Sequence, residues 1–136
     1  MKKKILFLVT ILLLSCACSN NYLKNINIKN LNQMLDNKES FVLYLTDNDE
    51  GKVLKNNLKD VANDNKINIY YLNTVKLNDD ELESLKKIFT FDETNIVLFI
   101  KDGKEETVLS RISDIYISNS ELEQEIKTQG YIEKEN

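Results

Sequence analysis

Phe41-Val42-Leu43-Tyr44-Leu45-Thr46-Asp47-Asn48-Asp49-Glu50-Gly51-Lys52-Val53 changes its periodicity part-way along. Phe41 to Leu45 is apolar at every position, so both faces of an extended segment here must be covered, as in a central strand. Thr46-Asp47-Asn48-Asp49 is turn chemistry, rich in short side chains that hydrogen-bond nearby backbone. Beyond it Val53, Leu54, Leu58, Val61 and Ala62 recur at helical spacing, which predicts a helix from about Glu50 to Asp64. A buried strand leading through an acidic turn into an amphipathic helix is one unit of an α/β fold.

The pattern continues on both sides. Upstream, Asn25 to Ile28 reads as a short strand and Leu31 to Leu35 as a helix ending near Asn37. Downstream, Ile67, Ile69 and Tyr71 alternate with Asn68, Tyr70 and Leu72, predicting a strand. Asn78 with Glu81 has capping-box spacing, and Leu82, Leu85, Ile88 and Phe89 line one face of the helix that follows. Ile96 to Ile100 is a second fully apolar strand, Asp102-Gly103 is a hairpin turn, and Thr107 to Ile112 is read as the returning strand. Ser120 with Glu123 repeats the capping box, Leu122 and Ile126 supply an apolar face, and Gly130 stands at the helix end. The expected order is β-α-β-α-β-α-β-β-α: an α/β domain with a central mixed sheet, mainly parallel with an antiparallel edge from the hairpin, and helices on both faces.

Composition narrows the chemistry. The chain has 136 residues, 42% hydrophobic and 29% charged, enough for one globular domain. It has no His, Pro or Trp, which removes His-ligated metals and Ser-His or Cys-His nucleophilic systems. Both cysteines precede residue 19, leaving no thiol pair for a disulfide or redox centre in the body of the chain.

Those cysteines follow a distinctive segment. Lys2, Lys3 and Lys4 precede an apolar run from Ile5 to Leu14 broken only by Thr10, then Ser15-Cys16-Ala17-Cys18. This is the layout of a secretory signal, and the run is short for a membrane span. Leu13-Leu14-Ser15-Cys16 resembles the bacterial lipobox, which implies diacylglyceryl attachment at Cys16 and cleavage before it. Cys18, preceded by Ala17, is the competing site. The expected division is a signal peptide over 1–15, a lipidated tether over 16–24, a domain over 25–131 and a polar tail over 132–136. Removal of Lys2, Lys3 and Lys4 moves the formal charge from −4 to −7, which argues against nucleic acid and against electrostatic docking to anionic lipid. The expected location is extracytoplasmic, with the membrane engaged through lipid on the N-terminal Cys.

The order of elements, and two local stretches, resemble the thioredoxin family. Phe41 to Val53 looks like that family's central strand and active-site turn. Asn95-Ile96-Val97-Leu98-Phe99-Ile100-Lys101-Asp102-Gly103-Lys104 is similar to its later strand and hairpin, P-T-x-x-x-F-K-D-G-K. The resemblance covers about Asn25 to Tyr131, and is nearest to small extracytoplasmic thioredoxin-like proteins, including bacteriocin transport accessory proteins. It places Glu50-Gly51-Lys52-Val53 where the family has CxxC, and Asn95 where it has its cis-proline. Thiol-disulfide exchange needs a thiolate and a resolving thiol, so redox inactivity is expected. A cis bond before Asn95 would cost several kcal/mol, so Thr94-Asn95 is expected to be trans.

Other constellations have plainer readings. Asp47-Asn48-Asp49-Glu50-Gly51 misses EF-hand spacing, because Gly51, Lys52 and Leu58 fall at positions five, six and twelve; an acidic helix-start turn is expected, with no metal and no cofactor. Glu50 with Asp92 or Glu93 is read as solvated loop acids, Tyr70, Tyr71, Phe89 and Phe91 as core, and Glu121, Glu123 and Glu125 as a solvated face. The functional expectation is a non-enzymatic binding module that presents Asp47, Asn48, Asp49, Glu50, Gly51, Thr94 and Asn95 to a peptide or protein, at the strand ends where open α/β sheets bind ligands. Two alternatives differ in kind: an accessory or immunity-type factor for a secreted bacteriocin-like peptide, and a cryptic redox protein using Cys18.

Overall fold

A computed structural model describes residues 21–133. The segment read as a signal peptide, Cys16, Cys18 and residues 134–136 lie outside the described residues. The elements are β1 (Leu23–Asn25), α1 (Ile28–Asp36), β2 (Phe41–Thr46), α2 (Lys52–Asn65), β3 (Ile69–Asn73), α3 (Asp79–Ile88), β4 (Ile96–Lys101), β5 (Lys104–Glu105) and α4 (Asn119–Thr128), with 3-10 turns at Thr74–Lys76 and Val108–Ser110. The β-α-β-α-β-α-β-β-α order is the expected one.

The strands form one sheet in the order β1-β3-β2-β4-β5. β3 runs parallel to both β1 and β2, whereas β4 is antiparallel to β2 and to β5. The sheet is therefore mixed in equal measure rather than mainly parallel. After α3, buried Phe89 and Phe91 lead the chain back to the end of the sheet at which β3 left it, so β4 enters beside β2 in the opposite sense.

β2 is the centre, buried at all six positions because each of its faces meets a separate core. On one face Val42 and Tyr44 join Leu54, Leu58, Val61 and Ala62 of α2 and Leu122 and Ile126 of α4. On the other, Phe41, Leu43 and Leu45 join Leu31 of α1 and Leu85 and Phe89 of α3. Phe89 and Phe91 are buried as expected, while Tyr70 and Tyr71 are half-buried against the two cores.

Several boundaries move for local reasons. The first strand lies at Leu23–Asn25 instead of Asn25 to Ile28, because Asn27 caps α1: its Oδ1 accepts from the Asn30 amide at 2.8 Å and Asn30 Oδ1 accepts in return at 3.4 Å. The ordered domain thus begins inside the segment read as tether, and Ile132, assigned to the tail, is buried. α2 starts at Lys52, after Gly51, rather than at Glu50. The strand expected over Thr107 to Ile112 shrinks to β5 and one bridge between Ile112 and Val97, because Thr107 Oγ1 accepts from the Leu109 amide and turns the backbone out of the ladder. The last capping box is Ser118 with Glu121, two residues before the expected Ser120 and Glu123.

The other turns follow their sequence signals. Asn78 and Glu81 form the expected reciprocal cap on α3. Asp102 and Gly103 have φ of 50° and 76°, the pair of positive values a two-residue type I′ hairpin needs. Past α4, the Gly130 amide donates to Lys127 and the Tyr131 amide to Ile126, a Schellman ending.

Loss of the α1 cap in Asn27→Ala is expected to lower stability by about 1 kcal/mol, and Asn27→Ser to restore most of it, read from urea unfolding.

Candidate functional site

The C-terminal end of β2, the turn into α2 and the loop before β4 meet at the Asn95 side chain. Asn95 is 4% exposed and has φ of 62°, the left-handed region that Asn tolerates better than most residues. Its Oδ1 accepts from Thr46 Oγ1 at 3.2 Å and from the Asp47 amide at 3.4 Å. Tyr44 Oη lies 3.2 Å from the same oxygen and donates to the Gly51 carbonyl at 3.1 Å. Thr46 Oγ1 also accepts from the Asn48 amide at 3.0 Å, and Thr74 Oγ1 donates to the Thr46 carbonyl at 3.2 Å. Tyr44 is fully buried, and desolvation pushes its hydroxyl pKa up, helped by the Asp47 charge and opposed by the Thr46 hydrogen bond.

Gly51 closes this cluster from above. A Cβ there would collide with Tyr44 Oη and Asn95 Oδ1, so the start of α2 approaches β2 this closely only with a glycine. Asp47 organises the outer side: its Oδ1 accepts from the Asp49 amide at 3.0 Å and the Glu50 amide at 3.3 Å, and its Oδ2 from Thr94 Oγ1 at 3.2 Å. Partial desolvation would raise its pKa, but hydrogen bonds from Asp49, Asn95, Thr94 and Glu50 outweigh that and hold it below the usual 3.8. The expected acidic turn is present, with Asp47 satisfying amides just ahead of the helix.

The predicted edge residues divide into two sets. Asn95 and Gly51 are interior and shape the edge from beneath, whereas Asp49, Glu50 and Val53 are exposed. Asn48, at φ of 70°, faces away and accepts from Lys55 Nζ, which also sits 4.2 Å over the Tyr71 ring. Asp47, Glu50, Asp92, Glu93 and Thr94 line one open depression of about 400 Å³ with Ser113, so the loop acids separated by some forty residues do share a site. All peptide bonds among the described residues are trans, including Thr94-Asn95. Tyr44, Thr46 and Ser113 were not singled out from sequence. A hydroxyl-bearing ring inside the apolar run from Phe41 to Leu45 was the available signal for Tyr44.

No protein-family model matches the chain, and no curated protein sequence matches it. Solved structures do. Thioredoxin O2 from Arabidopsis thaliana in the oxidized state is similar at a TM-score of 0.60 and 14% identity, over 82% of this chain and 96% of that one. Thioredoxin NaTrxh from Nicotiana alata is similar at 0.56 and 14% identity, over 86% of this chain and 98% of that one. The fold is thioredoxin-like. Glu50 and Val53, which the sequence resemblance set against CxxC, are both exposed, and Asn95, which it set against the cis-proline, is buried and follows a trans peptide bond.

Two measurements probe the cluster. Asn95→Gly keeps the positive φ and loses the hydrogen bonds, whereas Asn95→Ala also strains the backbone, so Ala is expected to be the less stable by about 1 kcal/mol in urea unfolding. Since the folded Asp47 carboxyl is held below its ordinary value, its contribution to stability is present above that value and is lost as pH falls through the lowered one. Asp47→Asn is expected to destabilise at neutral pH and to lose that deficit in acid, read from unfolding between about pH 6 and about pH 2.

Proposed function

We propose that this chain is an extracytoplasmic, lipid-anchored thioredoxin-like protein without thiol redox activity, which binds a peptide or protein partner at the edge formed by Asp47, Glu50 and Thr94. The observation that carries the reading is a strand-end corner without thiols, held in shape by internal hydrogen bonds. Positions matched to the redox residues hold an exposed carboxylate, an exposed Val and a buried amide, while the edge around them is fixed by internal hydrogen bonds. With no cysteine after residue 18, a mixed disulfide has no partner within the domain. An ordered edge at the carboxyl ends of β2 and β3, open to solvent, favours recognition over chemistry. The basic and apolar N-terminal stretch ending at Cys16 supports anchoring by lipid.

Purified full chain is expected to reduce a model disulfide no faster than its Cys16→Ser, Cys18→Ser double variant; a rate above that background overturns redox inactivity. Intact mass of the membrane form is expected to carry the acyl increment on Cys16 and to lose it in Cys16→Ser. Amide NMR shifts during titration with a pool of synthetic peptides are expected to cluster at Asp47 to Gly51 and at Thr94. A complex whose affinity is unchanged by Glu50→Ala and Thr94→Ala counts against this edge.

A further inference from the structure

The depression at Asp47 is one end of a longer groove. Beside it lies a second of about 370 Å³, walled by the loop before β4 and by Arg111, and then a third of about 560 Å³ between the Thr107–Asp114 stretch and α4. Ser113 lines all three, Asp92 and Glu93 line the first two, and Arg111 lines the last two, which sets the three depressions side by side along one surface. Its charge is one-sided. Asp47, Glu50, Asp92, Glu93, Asp114 and Glu125 line it, four of them at the Asp47 end. The opposing cation is Arg111, and its guanidinium is already engaged, with Nε 2.5 Å and Nη2 2.8 Å from the Glu105 carboxylate and Nη1 donating to the Thr90 carbonyl at 2.8 Å.

Apolar surface is added toward the far end: Val108 lines the middle depression and Leu109, 93% exposed, lines the far one, where the largely buried Ile112 and Ile117 lie beside Asp114 and Glu125. Two adjacent aliphatic side chains held out of the core by a 3-10 turn, beside a concave surface, mark a place where apolar contact is gained on binding. A second copy of this chain is a poor occupant, since at a formal −4 it would bring net negative charge to an acidic groove. β1, where the N-terminal segment joins, is at the opposite edge of the sheet, about 19 Å away at usual strand spacing, and it starts at the end remote from Asp47.

We propose that this groove binds an extended peptide segment with a basic run next to an apolar run, the basic run at the Asp47 end and the apolar run against Val108 and Leu109. The proposal rests on the peptide-binding reading above and adds to it the chemistry and polarity of the partner. The carboxylates supply charge-assisted contacts that steer the basic run, and Leu109 and Val108 supply burial that fixes direction.

The test uses the full chain in phosphatidylcholine nanodiscs, with empty nanodiscs as blank, and a synthetic peptide made of a lysine run followed by a leucine-valine run. Saturable binding is expected by calorimetry, weakened about tenfold by the triple change Glu50→Gln, Asp92→Asn, Glu93→Gln and by Leu109→Ser, and falling as salt rises. Neutralising Asp79, Asp80 and Glu83 on α3 is expected to leave affinity unchanged. Equal loss in that α3 variant, or no saturable binding of the lysine peptide, overturns the proposal. Equal binding of the peptide with glutamates in place of lysines, shifting the same amides, overturns the charge assignment while the peptide-binding reading stands; if no version binds, both fall.

Discussion

The Asn95 amide is buried where three separate pieces of chain converge, and burial makes its hydrogen bonds obligatory. Leaving a buried polar group without a partner costs about 1–3 kcal/mol, so the end of β2, the turn through Gly51 and the loop before β4 have to be in place together. Tyr44 and Thr46, on a strand otherwise made of aliphatic and aromatic side chains, are the partners that β2 offers. Among the described residues every buried side-chain polar atom has a partner, so this polar cluster fixes geometry without an unpaid desolvation cost. The left-handed backbone at Asn95 is the local strain that the network holds in place.

Around that point the molecule is two cores sharing one strand. Because β2 is covered on both faces, its register against β3 and β4 is set strongly: a one-residue slip would send Tyr44 into the α1–α3 core and carry its hydroxyl away from Asn95 and Gly51. The hairpin at Asp102-Gly103 is tied in as well, since the Gly103 amide donates to the Glu39 carbonyl just beyond α1. Arg111, the one arginine among 18 basic residues, stands where a planar fork is needed to hold Glu105 and the Thr90 carbonyl at once. A lysine there would be a single point charge, unable to hold the Glu105 carboxylate and the Thr90 carbonyl at once.

The thioredoxin-like scaffold thus brings to one strand-end corner a set of groups unlike thiols in what they do. Carboxylates at a surface attract, orient and exchange quickly, and none of them accepts electrons. Glu50 at the start of α2 and Asp47 beneath it keep negative charge at a helix N-terminus, where the macrodipole favours it. The proposed role in recognition follows from that chemistry, and the one-sided charge of the groove gives it a direction.

Much of the fold is readable from local sequence, because runs apolar on both faces, helical spacing and the Asp102-Gly103 turn are each decided by a few neighbouring residues. The capping of α3 by Asn78 and Glu81 is of that kind, as is the absence of Cys and Pro at positions 50, 53 and 95. Where several local solutions compete, sequence alone misplaces the boundary: strand or helix cap at Asn27, Ser118 or Ser120 as the cap of α4, strand or 3-10 turn after Thr107. The sense of β4 and the meeting of Tyr44, Gly51 and Asn95 belong to tertiary structure, since they depend on which face and which end of the sheet each distant segment reaches. So does the groove, whose carboxylates are unremarkable loop acids until packing sets residues 47–50, 92–93 and 113–114 side by side. Composition determined which residue types are on hand; only the meeting of the end of β2, the Gly51 turn and the loop before β4 decided how they are arranged, because a buried amide and a shared surface exist only between segments that long-range packing has joined.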